Sequence, residues 1–173
     1  MLETSNYSTF ETLRDGRRVE IRAQRPRDRD GLRAAIARMS DESLYRRFFV
    51  VKHHFSEKEV EHFLNIDFIN QVALVVAVYE HGGQAIVGGG RYIVVEPGRA
   101  EVAFAVIDEY QGQGLGSALM RDLAAIARQG GLRELFAEVL AGNAPMFKVF
   151  EKSGLKMSTK RDGAVVHVTL NLA

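Results

Sequence analysis

The chain has no cysteine. That excludes disulfides, thiolate metal sites and a covalent cysteine–acyl intermediate. It also has almost no net charge: 23 Lys and Arg stand against 22 Asp and Glu, for +1. A global electrostatic case for nucleic acid or an anionic membrane is therefore absent, and neither is expected as a partner. No apolar stretch approaches the roughly 20 residues that span a bilayer. The opening Met1-Leu2-Glu3-Thr4-Ser5-Asn6 lacks the basic start and apolar run of a signal peptide, so a cytoplasmic location is expected. No repeat, linker or low-complexity segment interrupts the chain. What is present suits one globular domain: 173 residues, 46% hydrophobic and 26% charged, enough to build a core without staples. Residues 1–12 are polar and unpatterned, a loose arm or an added edge segment; 13–173 read as a single domain.

Residues 18–25 alternate Val19, Ile21 and Ala23 with charged residues, as a half-exposed strand does. Asp28 is placed to cap a helix over 30–39, with Leu32, Ile36 and Met39 inside. Ser40 can cap a second helix that carries Leu44, Tyr45, Phe48 and Phe49, expected to pack on the core. Ser56-Glu57-Lys58-Glu59 is a capping box before Val60, Phe63 and Leu64. The pattern then becomes β-rich over 71–80, and His81-Gly82-Gly83 signals a hairpin turn. A second strand over 85–95 contains Gly88-Gly89-Gly90, which suggests a bulge or a close backbone neighbour. A third runs over 100–107. A helix over 117–129, a strand over 133–140, a short helix over 143–152 with Pro145 in its first turn, and a β-rich tail over 164–170 follow. This order predicts a mixed sheet flanked by helices.

The glycine loop Gln111-Gly112-Gln113-Gly114-Leu115-Gly116 sits where a strand hands over to a helix. Loops without Cβ atoms let backbone N–H groups approach a ligand closely. The helix N-terminus adds unpaired donors and a partial positive charge, so the unit is a seat for pyrophosphate. A P-loop requires Gly-Lys-Ser/Thr, and Gly116 is preceded by Leu115 and followed by Ser117. A dinucleotide fingerprint requires a glycine where Ser117 stands. Glu138 lies at a plausible distance for a ribose-binding acid, but only 57 residues follow Gly116, too few for most of a doubly wound sheet.

The same six residues fit, at every fixed position, the Gln/Arg-x-x-Gly-x-Gly/Ala loop of the GNAT acetyltransferase superfamily. Over residues 13–171 the element order also resembles the GNAT fold, an α+β three-layer arrangement around a mixed, mostly antiparallel sheet of six to seven strands. The resemblance extends to the acetyltransferase domain of bacterial Pat-type protein-lysine acetyltransferases. Ser40-Asp41-Glu42-Ser43-Leu44-Tyr45-Arg46-Arg47-Phe48-Phe49 is similar to their second helix. Residues 100–106 are similar to their fourth strand, and Glu138-Val139-Leu140 with Asn143 and Met146 to their later strand–helix unit. It implies acetyl-CoA as co-substrate, no metal, and an amine acceptor. In Pat-type members the acceptor is often a lysine of an acyl-CoA synthetase.

Glu101 falls at the position of the family's catalytic glutamate, and a carboxylate there can take the amine proton directly or through water. A salt-bridged glutamate at a hairpin end would look the same. The resemblance places the pantetheine arm beside Phe104, Ala105 and Val106, where a splayed strand frees a main-chain N–H from 104–107 for the thioester oxygen. It places the pyrophosphate on Gln111, Gly112, Gln113, Gly114, Leu115, Gly116 and Ser117, with the two glutamine side chains free to reach phosphate. Asn143 either bonds the pantetheine or its adjoining backbone, caps the next helix, or does both. Many members place a tyrosine general acid seven residues after that asparagine; here the position is Phe150, which cannot donate a proton. A thiol of pKa about 8.5 leaves without one.

Other features carry less. His53, His54 and His62 lack carboxylates at ligand spacing. The nine arginines of 14–38 are interleaved with Asp15, Glu20, Asp28 and Asp30, as on a solvated face. Lys148 and Lys152 read as a solvated helix face or as partners of the coenzyme's 3′-phosphate. Arg46 and Arg47 border the family's acceptor groove. A small amine acceptor, or a weakly catalytic acyl-CoA-binding module, stays open beside the protein lysine. A monomer and a homodimer both stay open, since edge strands can pair.

Overall fold

The computed structural model describes residues 4–49, 52, 54–80 and 82–173; the histidines at 53 and 81 lie outside them. Eight strands form one sheet: β1 (Ser8–Thr12), β2 (Arg18–Ala23), β3 (Gln71–Glu80), β4 (Gly83–Glu96), β5 (Arg99–Val106), β6 (Glu134–Leu140), β7 (Lys156–Asp162) and β8 (Val165–Asn171). Their order is β1-β2-β3-β4-β5-β6-β8-β7, and every pair is antiparallel except β5–β6. The helices are α1 (Arg29–Ala37), α2 (Asp41–Phe48), α3 (Glu57–Leu64), α4 (Leu115–Gln129) and α5 (Ala144–Lys152).

The sheet has eight strands where six to seven were expected, because both edges are polar. Ser8–Thr12 pairs with β2, so the unpatterned N-terminal segment supplies an edge strand. Lys156–Asp162 pairs with β8 and is exposed along nearly its whole length. Lysine and arginine on such an edge discourage further strand addition.

The central strands are built from runs that the core can absorb. All of Val72–Val78 is buried, and α4 buries Leu115, Leu119, Leu123 and Ile126 against the sheet. Leu119 and Leu123 are fully buried, each contributing about 1.5–3 kcal/mol of transfer free energy. Helix α4 begins at Leu115, two residues earlier than its apolar pattern suggested. Helices α2 and α3 start on the expected serines: Ser40 Oγ accepts from Ser43 N–H and Ser56 Oγ from Glu59 N–H. Asp28 does not cap α1 through its side chain. Its carboxylate instead accepts from Arg25 N–H at 2.7 Å and receives both terminal nitrogens of Arg22 at 2.8 and 2.9 Å, in a site almost closed to water.

Both meanings offered for the triple glycine hold. Pairing of β3 with β4 skips Val87, a bulge beside Gly88. A Cβ on Gly88 would lie 2.9 Å from Ala105 O, and one on Gly89 would lie 2.8 Å from Leu74 O.

Candidate active site

Strands β5 and β6 pair only over Arg99–Glu101 with Glu134–Phe136 and then part. No bulge in β5 is needed for this: its register with β4 runs unbroken from Ala100 to Val106. Ile107 N–H donates to Val87 O at 2.9 Å, so by antiparallel alternation the N–H groups of Ala105 and Ala103 also face β4. Those of Phe104 and Val106 face the opened side. These two are the donors the splay makes available.

The opening continues into a cleft of ≈ 630 Å³. Phe104, Ala105, Val106, Gln111, Gly112, Gly114, Leu115, Gly116, Ser117 and Asn143 all line it, which brings together ten of the eleven residues expected to hold the coenzyme. Gln113 is the exception: its Oε1 accepts from Asp15 N–H at 3.2 Å, and it does not line the cleft. The Gln111 side chain is also committed. Its Nε2 donates to Ser43 Oγ at 3.0 Å and to Val106 O at 2.9 Å, tying the loop to α2 and to the end of β5. The Gln111 amide nitrogen is engaged and Gln113 does not line the cleft, so the loop faces it with main-chain donors. Gly114 caps α4 at φ 91°, which glycine adopts without strain, and no side chain caps that turn. Asn143 lines the cleft and caps α5, its Oδ1 accepting from Met146 N–H at 3.4 Å.

Sequence reasoning missed part of the lining. Arg14, from the turn between β1 and β2, reaches the cleft and donates to Gly112 O at 3.3 Å. Arg46, Arg47, Lys148 and Lys152 complete five cations, Arg46 being paired with Glu42, and no carboxylate is among the described lining residues. Charge of one sign in a cleft concentrates anions such as phosphates. The signal for Arg14 was slight: an arginine at the tip of a turn, hidden in a run of nine.

Residues 36–155 match the family model described as Acetyltransferase (GNAT) family. The chain belongs to that family. The acetyltransferase PA5475 of Pseudomonas aeruginosa is 36% identical over 137 residues, which cover 79% of this chain and 74% of that protein. The acetyltransferase Pat of Mycolicibacterium smegmatis is 31% identical over 146 residues, 82% of this chain but only 42% of Pat, so the match spans less than half of that relative. The crystal structure of the GNAT domain of S. lividans PAT superposes with a TM-score of 0.84 at 34% identity, covering 95% of this chain and 96% of that one.

In this GNAT acetyltransferase Glu101 is exposed and shares one face of β5 with Ala103 and Ala105. It stands about 13 Å along the strand from Ala105, by the ordinary strand rise, and lines neither the cleft nor the cavity described below. Phe150 is buried against Phe104, ring centroids 6.1 Å apart, and does not line the cleft. Tyr110 does line it, but its hydroxyl donates to Glu80 at 3.0 Å. Burial, then the Glu80 contacts, push that phenol's pKa up. No tyrosine of the cleft is therefore poised to protonate a thiolate.

A smaller cavity of ≈ 100 Å³ adjoins the cleft under α1, α2 and α3. The two share Met39, Arg47 and Ala105. Phe48, Phe55 and Phe63 cluster over the cavity with ring centroids 5.2–6.1 Å apart. Tyr45, expected beside Phe48 in the core, instead faces solvent. His54 and His62 are exposed, and among the described residues no group of three or more His, Cys, Asp or Glu could hold a metal.

Proposed function

We propose that this GNAT acetyltransferase transfers an acetyl group from acetyl-CoA to the ε-amine of a protein lysine. The observation that carries the donor half is the splay of β5 from β6, opening into a cleft of five cations that ends on an uncapped helix N-terminus. That arrangement fits a ligand with an amide-bearing arm at one end and phosphates at the other. The chain's Pat-type relatives and the exposure of Glu101 support a lysine acceptor. A base at the surface suits an amine presented by another protein, which does not have to be engulfed.

Acetyl-CoA, when bound, supplies a thioester whose thiol leaves readily because its pKa is about 8.5. The main chain around Gly112–Ser117, with Arg14, Lys148 and Lys152, holds its phosphates. Phe104 and Val106 N–H groups lie where a carbonyl oxygen gaining negative charge can accept from them. Glu101 takes the amine proton through a chain of water molecules, since the amine must reach the thioester beside Ala105, about 13 Å along the strand. Asn143 fixes the start of α5 and borders the arm's path.

Thiol release from acetyl-CoA, measured with a pooled panel of lysine-rich proteins and of small amines, tests the reading. Release should depend on a protein acceptor, and mass spectrometry should find the acetyl group on lysine. Release with small amines alone would replace the acceptor. Coenzyme binding without release for any acceptor would leave a binding module.

A further inference from the structure

The cavity beyond Ala105 is lined mainly by apolar groups, yet three arginines border it: Arg33, Arg47 and Arg91. Among the described residues Arg91 is held by neutral partners, its Nη2 donating to Gln24 Oε1 and to Phe63 O, each at 3.2 Å. Its guanidinium lies 4.7 Å from the Phe63 ring centroid. Arg47 has no hydrogen bond or ion pair among the described residues; it lies over Phe48, 4.7 Å from the ring centroid. Arg33 pairs with the exposed Glu57, but its buried Nε–H finds no acceptor. Burial lowers both Arg47 and Arg91 to about 10; Glu101 partly offsets this for Arg47, and Arg47 lowers Arg91 further. Both side chains are partly buried and neither makes an ion pair among the described residues, which is costly, and the two cations repel one another beside the transfer point. An anion arriving between them would relieve both terms.

The direction of the cavity indicates what brings the anion. Cavity walls include Ala103, Ala105 and Ile107, while Glu101 lies outside. An amine approaching past the exposed Glu101 reaches the thioester from that end of β5. A thioester beside Ala105 has the cavity directly ahead of it. The volume of ≈ 100 Å³ gives room for a tail of a few heavy atoms and not for a long chain, a water taking about 30 Å³.

We infer that this cavity is an acyl pocket for a short chain ending in a carboxylate, received by Arg47 and Arg91, so that the enzyme also accepts CoA half-thioesters of short dicarboxylic acids. The inference rests on the coenzyme reading of the cleft. The transfer is the same: the acceptor nitrogen bonds to the acyl carbon, the carbon–sulfur bond breaks, CoA leaves as thiolate, and Glu101 takes the amine proton. The distal carboxylate stays ionised and unchanged.

Calorimetric titration with succinyl-CoA, butyryl-CoA, acetyl-CoA and CoA tests it, since succinyl and butyryl chains differ chiefly in charge. Succinyl-CoA should bind at least about tenfold more tightly than butyryl-CoA, about 1.4 kcal/mol. Arg47→Gln and Arg91→Gln should each reduce that ratio to within about threefold, about 0.7 kcal/mol, and Arg91→Gln should leave acetyl-CoA affinity within about twofold, about 0.4 kcal/mol. Equal binding of the two four-carbon thioesters by the wild type sinks the inference without any variant, as does a preference that survives both substitutions. A thiol-release arm with acetyl-CoA compares glutamate with its diamide as acceptor. Preference for the acid, erased by Arg91→Gln, would move the anion to the acceptor and overturn the assignment to the donor. Absence of CoA binding would remove the coenzyme reading too; CoA binding without carboxylate preference would remove only the acyl pocket.

Discussion

A carboxylate at the exposed start of β5 can take a proton from an incoming amine and pass it to solvent, which a carboxamide of the same shape cannot do. Glu101→Gln is therefore expected to lower kcat by about 10²- to 10⁴-fold. Its affinity for CoA should match the wild type, because Glu101 does not line the cleft. Full turnover in the variant at saturating acceptor would mean that the base lies elsewhere. Phe150 poses the opposite case. Its ring is 1% exposed and lies against Phe104, so a hydroxyl added there would enter the core away from the thioester. Phe150→Tyr should give no gain in turnover and should cost about 1–3 kcal/mol on chemical denaturation, the usual cost of a buried hydroxyl without a partner. A rise of more than tenfold in kcat would show that leaving-group protonation limits the reaction and that position 150 can reach it.

At the scale of elements, the join between β2 and α1 depends on one buried ion pair. The Arg22 guanidinium meets the Asp28 carboxylate in two hydrogen bonds, and Arg25 N–H supplies a third. Burial alone would raise the Asp28 pKa; the hydrogen bonds outweigh it and hold the group below its ordinary value. A depressed acid stabilises the fold above its unfolded pKa of about 3.9, and that contribution fades as pH falls through the lower folded value. Asp28→Asn should lose about 3–5 kcal/mol at pH 7, since it leaves a buried guanidinium unpaired. In urea titrations repeated downward in pH, the gap between variant and wild type should close below about pH 4. A gap constant down to pH 2 would mean the carboxylate's charge is irrelevant. This capping position also marks a limit of sequence reading. Helices α2 and α3 were legible because their serine caps act locally, whereas Asp28 was drawn to an arginine on a neighbouring strand. Strands β3, β4 and β5 were legible from apolar runs, while β1 and β7 were not, because edge strands need bury little. Six of the ten expected cleft residues, Gln111, Gly112, Gly114, Leu115, Gly116 and Ser117, lie in or beside one contiguous motif; Phe104, Ala105, Val106 and Asn143 came with the family resemblance. Arg14, Arg33 and Arg91 could not, since only the fold brings the β1–β2 turn to the loop and places Arg91 near Arg47.

At the scale of the molecule, the glycine loop is gripped from two sides. Gln111 ties it to Ser43 on α2, and the β1–β2 turn holds it through Arg14 to Gly112 O and Asp15 N–H to Gln113. The turn after an edge strand far from the loop in sequence thus sets the shape of the loop proposed to seat the pyrophosphate, so less ordering is left for the coenzyme to impose. Arg14 also adds charge to the cleft, and exposed charges act on phosphates with a strength that salt reduces. Arg14→Ala should raise the Kd for CoA about five- to tenfold at low salt, about 1–1.4 kcal/mol. At about 1 M salt, where the Debye length falls to about 3 Å, most of that difference should vanish. Coenzyme at about 100 times its Kd should stabilise the wild type by about 2.7 kcal/mol, a rise in Tm of roughly 5–10 °C for a domain of this size. At the same CoA concentration the Arg14→Ala protein should show a rise smaller by about 1 kcal/mol, roughly 2–4 °C. Its ligand-free Tm should equal that of the wild type, because the Arg14 contact is exposed and contributes little without the coenzyme. A lower ligand-free Tm together with a salt-independent loss of affinity would reverse the assignment: the turn would then be a structural strap whose arginine acts through the shape of the loop and not through its charge.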